Sequence, residues 1–255
     1  MISQLVAEAD SADVVMVEVQ PHEIDVSVLV DQKPVTWACR DGLVDTIASD
    51  IAYVDQASFD PQEFDLDDVG ALFRAAAAIA SSASGQRLQI VDYSGGRVMM
   101  SVATDPESRT VFFNPDGSLL ENLDFATLGG IQRGLREVAD QLPAVTRLSV
   151  VSNESVWVDH VADDPGTVTR RVRTATVPVT TITRATAGEP TPFAPTLVRP
   201  AVVWSVVRDN IGSTPPAGTS WSVVAEDRDQ LGTPRLHFSF GTTQVTTDLA
   251  GQPVD

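Results

Sequence analysis

The sequence predicts an α+β protein in which a helix followed by three antiparallel strands, an αβββ unit, recurs about four times. Three observations predict this class. Runs of β-branched and aromatic residues are joined by Asp-Gly, Pro-Gly or Gly-Thr-Thr turns, which is typical of hairpins. One more strand-like run precedes each hairpin, and a helical pattern precedes that run. We therefore expect helices packed on one face of one or more antiparallel sheets.

The hairpins supply the evidence for repetition. Residues 27–44 and 101–119 align with one gap, and the alignment places Trp37 opposite Phe112 ahead of an Asp-Gly turn in both segments. Glycine in such turns accepts a positive φ without steric cost. Two weaker versions follow, and the strand that precedes each hairpin completes the units. The weaker hairpins cover residues 156–172 and 236–248, and the preceding strands are expected over 13–19, 87–93, 147–151 and 221–225.

Four helices are predicted from the 3.6-residue spacing of apolar side chains. The second is expected to be capped by Asp65 and closed by Gly85, because an aspartate favours a helix start and a glycine a helix end. The third is expected after Asp124 and before Pro143, with Gly129-Gly130 allowing a close approach to the sheet. The first and fourth are expected over residues 2–9 and 200–211.

The units pair into two halves, residues 1–122 and 123–255, which form either two domains or one continuous pseudo-symmetric body. Two stretches break the pattern. Residues 50–64 are an acidic connector, and residues 174–197 form an arm rich in Thr, Pro and Ala. The arm is either an edge strand followed by a loop or a linker, and it is a reasonable place for a partner to dock.

Composition limits the choice of partners and of cellular location. A formal charge of −18 over 255 residues argues against binding to nucleic acid or to anionic membranes, since both require clustered cations. Neither a secretory leader nor an apolar run of roughly 20 residues is visible, so a soluble, cytoplasmic protein is expected. The basic residues are almost all arginine, which indicates a GC-rich bacterial genome. Cys39 is the single cysteine and is expected to be a buried thiol.

Catalytic and cofactor patterns are weak throughout the sequence. None of the three histidines, His22, His160 and His237, lies near a nucleophile pattern. Asp159-His160 with Asp163-Asp164 is the densest group of metal-ligand residue types, but strand alternation sends Asp159 and His160 to opposite faces. We therefore predict no cofactor, no metal site and no catalytic residue.

Aromatic side chains remain as candidates for recognition. Those that lie on a sheet face not covered by helices can form a binding surface or a dimer seam. We take Trp37, Phe112, Trp157 and Phe193 as candidate partner-binding residues. The order of helices and strands resembles small bacterial protein-binding modules, such as secretion-chaperone-like and inhibitor-like folds, and this resemblance is one of topology.

The sequence thus favours a non-catalytic protein-binding or chaperone-like module that takes a protein partner or a second copy of itself. Two alternatives stay open at this stage. One is a hydrolase that uses dispersed carboxylates, and the other is a carrier of a small ligand or lipid with a cavity between helices and sheet.

Overall fold

A computed structural model describes residues 1–10, 13–47, 56–105, 109–186, 190–212 and 219–254. Within these residues the chain forms two compact units, Met1–Glu121 and Asn122–Asp255. Each unit contains one seven-stranded antiparallel sheet and two α-helices. Parts of the predicted connector (50–55), of one hairpin turn (106–108) and of the arm (187–189) lie outside the described residues.

The first unit has the strand order β4-β3-β2-β1-β5-β6-β7. Helix α1 contacts β2 and β3, and helix α2 contacts β6 and β7. The elements are α1 (Ile2–Ala9), β1 (Val14–Gln20), β2 (Glu23–Val30), β3 (Lys33–Arg40), β4 (Leu43–Ile47), α2 (Val69–Ala80), β5 (Arg87–Ser94), β6 (Arg97–Ala103) and β7 (Thr110–Phe113).

The second unit repeats this topology with the strand order β11-β10-β9-β8-β12-β13-β14. Helix α3 contacts β9, β10 and helix α4. The elements are α3 (Leu128–Val138), β8 (Arg147–Val151), β9 (Ser155–Val161), β10 (Thr167–Thr174), β11 (Thr180–Ala185), α4 (Pro200–Ile211), β12 (Trp221–Glu226), β13 (Arg235–Phe240) and β14 (Thr243–Thr247).

The predicted α+β class is confirmed, and the two similar sheets agree with internal repetition. The expected three strands per helix need a correction. In the described residues each unit carries four strands after its first helix and three after its second, because β4 and β11 extend the sheets at one edge. Strand β11 occupies part of the predicted arm, which therefore contains an edge strand.

The alignment of Trp37 with Phe112 is wrong by one residue. Strands β1 and β5 form the centre of the first sheet, and Val26 on β2 and Met100 on β6 occupy equivalent places on either side of it. Trp37 pairs with Val26, and Phe113 pairs with Met100. The counterpart of Trp37 is therefore Phe113. Because side chains alternate between faces, this slip of one residue sends Phe112 to the other side of the sheet.

Helix α2 is shorter than predicted at both ends. Its N-cap is Asp68, whose Oδ1 accepts a hydrogen bond from the Ala71 amide at 2.8 Å, whereas Asp65 accepts from the Asp67 amide in the preceding turn. The helix ends at Ser81 in the left-handed conformation rather than at Gly85. A Cβ atom on Gly85 would lie 1.8 Å from Oδ2 of Asp105, so this glycine serves close packing after the helix has ended.

Helices α1 and α4 span the predicted residues, and α3 begins after its N-cap Thr127. The glycine that lets α3 approach the sheet is Gly134. A Cβ atom there would lie 2.7 Å from Phe125 and 3.1 Å from Val156 on β9. Gly129 faces open space and Gly130 packs against the backbone oxygen of Asp124, so the predicted contact with the sheet lies one helical turn further along, at Gly134.

Each unit buries one face of its sheet under its helices. Leu5, Leu72 and Ile90 lie in the first core, and Ile131 and Val158 lie in the second. Cys39 is buried in the first core, as predicted. Among the described residues, none of the helices reaches the length and apolar character that a membrane crossing requires. We call the opposite face of each sheet its open face, and it carries polar side chains.

Candidate functional site: the open face of the second sheet

Strand alternation defines the two faces of the second sheet. Val156 and Val158 on β9 are buried in the core beneath α3, so Trp157 and Asp159 lie on the open face. The register carries this assignment to the neighbouring strands. Asp159 pairs with Arg170 on β10 and with Arg147 on β8, so both arginines share the open face.

Charges of alternating sign cross this face from strand to strand. Arg170, Asp159, Arg147, Glu226 and Arg235 are consecutive partners on β10, β9, β8, β12 and β13. Strands in a sheet lie about 4.8 Å apart, so these five side chains span roughly 19 Å. We call this set the charged row.

Asp159 is the anchor of the charged row. It is 1% exposed, and Arg170 binds it in a bidentate manner, with Nε 2.7 Å from Oδ1 and Nη2 2.9 Å from Oδ2. Nη2 of Arg184 on β11 donates a second bond to Oδ2 at 2.7 Å. A buried carboxylate needs such compensation because removing a charge from water is costly. Two guanidinium groups exceed one carboxylate, so this part of the face is positively charged.

Trp157 lies beneath the guanidinium groups. The central carbon of Arg170 is 3.5 Å from the centroid of the indole ring, and that of Arg147 is 5.9 Å away. This arrangement is a cation–π contact, in which a cation rests on the negative face of an aromatic ring. Because Asp159 holds Arg170 in place, the ring and the guanidinium form a fixed pair. The side chain of Trp157 is half-buried.

Glu226 organises the other end of the charged row. Its Oε2 lies 2.9 Å from Nε of Arg147, and Arg228 forms an ion pair with its Oε1. His237 lies close by on β13, with Nδ1 3.2 Å from the Thr246 hydroxyl. Burial lowers the pKa of His237, and the positive charge of Arg228 lowers it further. The imidazole is therefore neutral at neutral pH.

The remaining polar groups near this face are dispersed. His160 lies on the face opposite Asp159, as strand alternation predicts, and its Nδ1 is 3.1 Å from the backbone oxygen of Val161. In the part of the chain that the structure describes, three or more His, Cys, Asp or Glu side chains do not come together as a metal site. A row of oriented guanidinium groups beside an indole can instead bind anionic groups on a partner.

The four predicted partner-binding residues lie in different environments. Trp157 belongs to the open face of the second sheet. Phe112 belongs to the open face of the first sheet, where it is 4% exposed and packs edge-to-face on Tyr93 with 4.9 Å between ring centroids. Trp37 packs half-buried against the first core, and Phe193 is buried in the second. Trp37 and Phe193 therefore pack against the cores, whereas Trp157 and Phe112 lie on the open faces of different units.

The arginines of the charged row are the residues that sequence reasoning missed. Alternation on β9 already placed Asp159 beside Trp157 on one face. The partners of Asp159 could not be read from the sequence, because Arg170 and Arg184 reach it only through the pairing of β9, β10 and β11.

No family model and no curated protein matches this chain. Several solved structures align with it. They include the β subunit of DNA polymerase III from Thermotoga maritima (11% identity, TM-score 0.22, 98% of this chain and 59% of that one). They also include the β clamp of H. pylori in complex with 5-chloroisatin (10% identity, TM-score 0.20, 100% of this chain and 60% of that one). PCNA from Thermococcus kodakaraensis aligns with 10% identity and a TM-score of 0.17, over 95% of this chain and 91% of the PCNA chain.

The chain thus spans about 60% of the length of the first two structures. At TM-scores of 0.22 and below, these matches assign no function to the chain. The aligned proteins are named as a DNA polymerase subunit and a sliding clamp, so the exclusion of nucleic acid as a partner is corrected and nucleic acid stays among the candidate partners. Net charge averages over a whole chain, whereas the charges are unevenly divided: residues 122–255 hold 11 of the 17 basic but only 14 of the 35 acidic side chains.

Proposed function

We propose that this chain is a non-catalytic protein-binding module and that the open face of its second sheet is the contact surface. The observation that carries the proposal is the buried Asp159, which fixes two guanidinium groups beside Trp157. The partner segment is acidic, because the arginines outnumber the carboxylates on this face. Chaperone-like activity toward such a partner would use the same surface.

Physical chemistry supports tryptophan and arginine as the centre of such a surface. These residues contribute most often to binding energy in protein interfaces, because they combine a large contact area with directional hydrogen bonds. Arg170 is already held by Asp159, so little side-chain freedom is lost when a partner binds. A partner carboxylate can bond to the exposed side of Arg184, whose side chain is 42% exposed.

Affinity capture with matched variants tests the proposal. The wild-type chain, Trp157→Ala and Arg184→Ala are immobilised in parallel, together with Arg136→Ala as a control on the exposed side of α3. We expect a protein that the wild type and the control retain and that both open-face variants lose. The captured protein is then titrated by calorimetry, where each open-face variant should weaken binding about 10-fold or more.

Equal retention by all four proteins would exclude the open face as the contact surface. A folded state for every variant is verified by circular dichroism before capture. Loss of binding in the Arg136→Ala control as well would show that overall charge, rather than this surface, governs retention.

Single-stranded nucleic acid is a second candidate, favoured by arginines next to an indole on one face. Guanidinium groups neutralise phosphates, and because Arg170 already covers the indole of Trp157, a base would stack on the guanidinium plane. Titration with a labelled oligonucleotide distinguishes the two candidates. Affinity that falls steeply with salt and is lost in Trp157→Ala would assign the surface to nucleic acid.

A further inference from the structure

The open face of the first sheet has the opposite charge. Residues 1–121 contain 21 acidic and 6 basic side chains, whereas residues 122–255 contain 14 and 11. Glu18 on β1 pairs directly with Asp25 on β2, and Glu23 lies two residues before Asp25 on the same face. Directly opposed like charges are unfavourable on a sheet. We call Glu18, Glu23 and Asp25 the carboxylate cluster.

The polar contacts of this cluster include a hydrogen bond between Asp25 and Glu23, and they leave one oxygen of Asp25 without a partner among the described residues. Both carboxylate oxygens of Glu18 accept hydrogen bonds, from Gln20 at 2.7 Å and from Gln89 at 2.8 Å. Nε of Arg40 donates to Glu23 at 2.6 Å. Asp25 is 9% exposed, and its Oδ1 has no hydrogen-bond partner among the described residues. A buried polar atom without a partner needs a physical explanation, and a cationic group of a binding partner would satisfy this one.

We propose that the open face of the first sheet binds a basic segment of a partner protein, with a Lys or Arg side chain lying over Asp25 and Glu18. Arg40 shows that this geometry is accessible, since its side chain is 61% exposed and still reaches Glu23 from the edge of the cluster. A cation from a partner forms with Asp25 the kind of ion pair that Arg40 forms with Glu23. The surface and the charge of the partner both differ from those of the proposed function, so neither outcome decides the other.

The same face offers an aromatic contact at a defined distance. Glu18, Gln89, Ser101 and Phe112 are consecutive partners on β1, β5, β6 and β7. Tyr93 packs on Phe112 and is 43% exposed. Four strand spacings separate Asp25 from Phe112, about 19 Å, which corresponds to roughly six residues of extended chain. Phe112 itself is 4% exposed, so the partner's apolar side chain, about six residues from its cation, contacts the exposed Tyr93 ring that packs on Phe112.

Acid weakens the proposed binding. Burial, the charges of Glu23 and Glu18 and a hydrogen bond with Glu23 together raise the pKa of Asp25 to about 6, and the charge of Arg40 opposes them. Below that pH Asp25 takes up a proton and loses its attraction for a cation. Binding of a basic segment is thus expected to weaken as the pH falls through 6.

Fluorescence anisotropy with a synthetic peptide tests the proposal. The probe is a labelled peptide of about twelve residues with three arginines and a tryptophan placed six residues from the central arginine. Wild type is compared with Asp25→Asn and with Asp10→Asn, which removes the same charge at the exposed end of α1. We expect Asp25→Asn to raise the Kd at least 5-fold at physiological salt, with less than a 2-fold change for Asp10→Asn.

Three outcomes overturn the proposal. Equal affinities of Asp25→Asn and Asp10→Asn would mean that total charge alone attracts the peptide. A pH-dependent stability without peptide binding would mean that Asp25 takes a proton and no partner cation. Dimerisation of the wild type that Asp25→Asn abolishes, seen by sedimentation, would assign the face to a second copy of this chain.

Discussion

Asp159 and Asp25 show how two carboxylates in similar positions on open sheet faces acquire different roles. Asp159 is 1% exposed and is bonded by two guanidinium groups, whereas Asp25 is 9% exposed and has one oxygen without a partner in the described structure. The charge of Asp159 stabilises the local structure by holding the two guanidinium groups. The charge of Asp25 destabilises the fold at neutral pH unless a proton or a cation arrives.

Replacing Asp159 tests its structural role. Asp159→Asn removes the charge that holds Arg170 and Arg184, and breaking a buried ion pair costs about 3–5 kcal/mol. We expect a loss of this size in the free energy of unfolding, measured by urea denaturation. Asp163→Asn, in the exposed turn after β9, is the control and should change stability by less than about 0.5 kcal/mol. Similar losses in the two variants would contradict the role of Asp159.

Asp25 makes stability depend on pH. Its pKa rises from 3.8 to about 6 on folding, so between these values the folded state holds a proton that the unfolded state has released. The contribution of Asp25 to the free energy of unfolding is therefore greatest below pH 4, and it falls as the pH rises to 6. The full shift corresponds to about 3 kcal/mol, and solvent screening reduces it to about 1 kcal/mol.

Asp25→Asn isolates that contribution. The asparagine does not titrate, so the variant should be about 1 kcal/mol more stable than wild type at pH 7.5. Its free energy of unfolding should also lack the decrease between pH 4 and 6 that Asp25 causes in the wild type. Denaturation at several pH values measures both quantities. A wild-type profile that matches the variant across this range would show that Asp25 titrates normally.

Among the elements, helix α3 depends most on a close approach to its sheet. Gly134 leaves no room for a side chain between Phe125 and Val156, whereas Gly129 faces open space. Helix α4 then packs on α3, so a displacement of α3 is transmitted to a second helix. The position of α3 is therefore set by Gly134 against the sheet and by Gly130, where a Cβ atom would lie 1.9 Å from the backbone oxygen of Asp124.

Alanine substitutions at the two glycines test this packing. Gly134→Ala should cost about 1–3 kcal/mol, because the added methyl group overlaps Phe125 and Val156. Gly129→Ala should leave stability unchanged or raise it, since alanine favours helix and meets no neighbour there. Thermal denaturation gives both values, and a Gly134→Ala protein as stable as Gly129→Ala would exclude the close contact.

For the whole molecule, the two compact units suggest separate domains. Each unit has its own buried core and its own sheet. We expect residues 1–121 and 122–255, produced separately, each to unfold in one cooperative transition followed by circular dichroism. A half that stays unfolded alone and folds when the other half is added would show that the halves form one folding unit.

Particular residues show how far the sequence predicts the fold and the candidate site. Helices α1 and α4 span the predicted residues because their amphipathic spacing and the Pro200 and Gly212 signals are local. The predicted end of α2 is wrong, because the helix ends at Ser81 in the left-handed conformation rather than at Gly85. Of the candidate site, Trp157 was identified, whereas Arg170 and Arg184 were not.

The sequence by itself determined the α+β class, the repetition and the position of most strands, because these follow from residue spacing within a few turns of chain. Only the tertiary structure decided which side chains share a surface. Strand register brings Arg147, Arg170 and Arg184 around Asp159, and it places Trp37 and Phe112 on opposite faces. Register depends on contacts between residues far apart in sequence, and a shift of one residue exchanges the two faces of a strand.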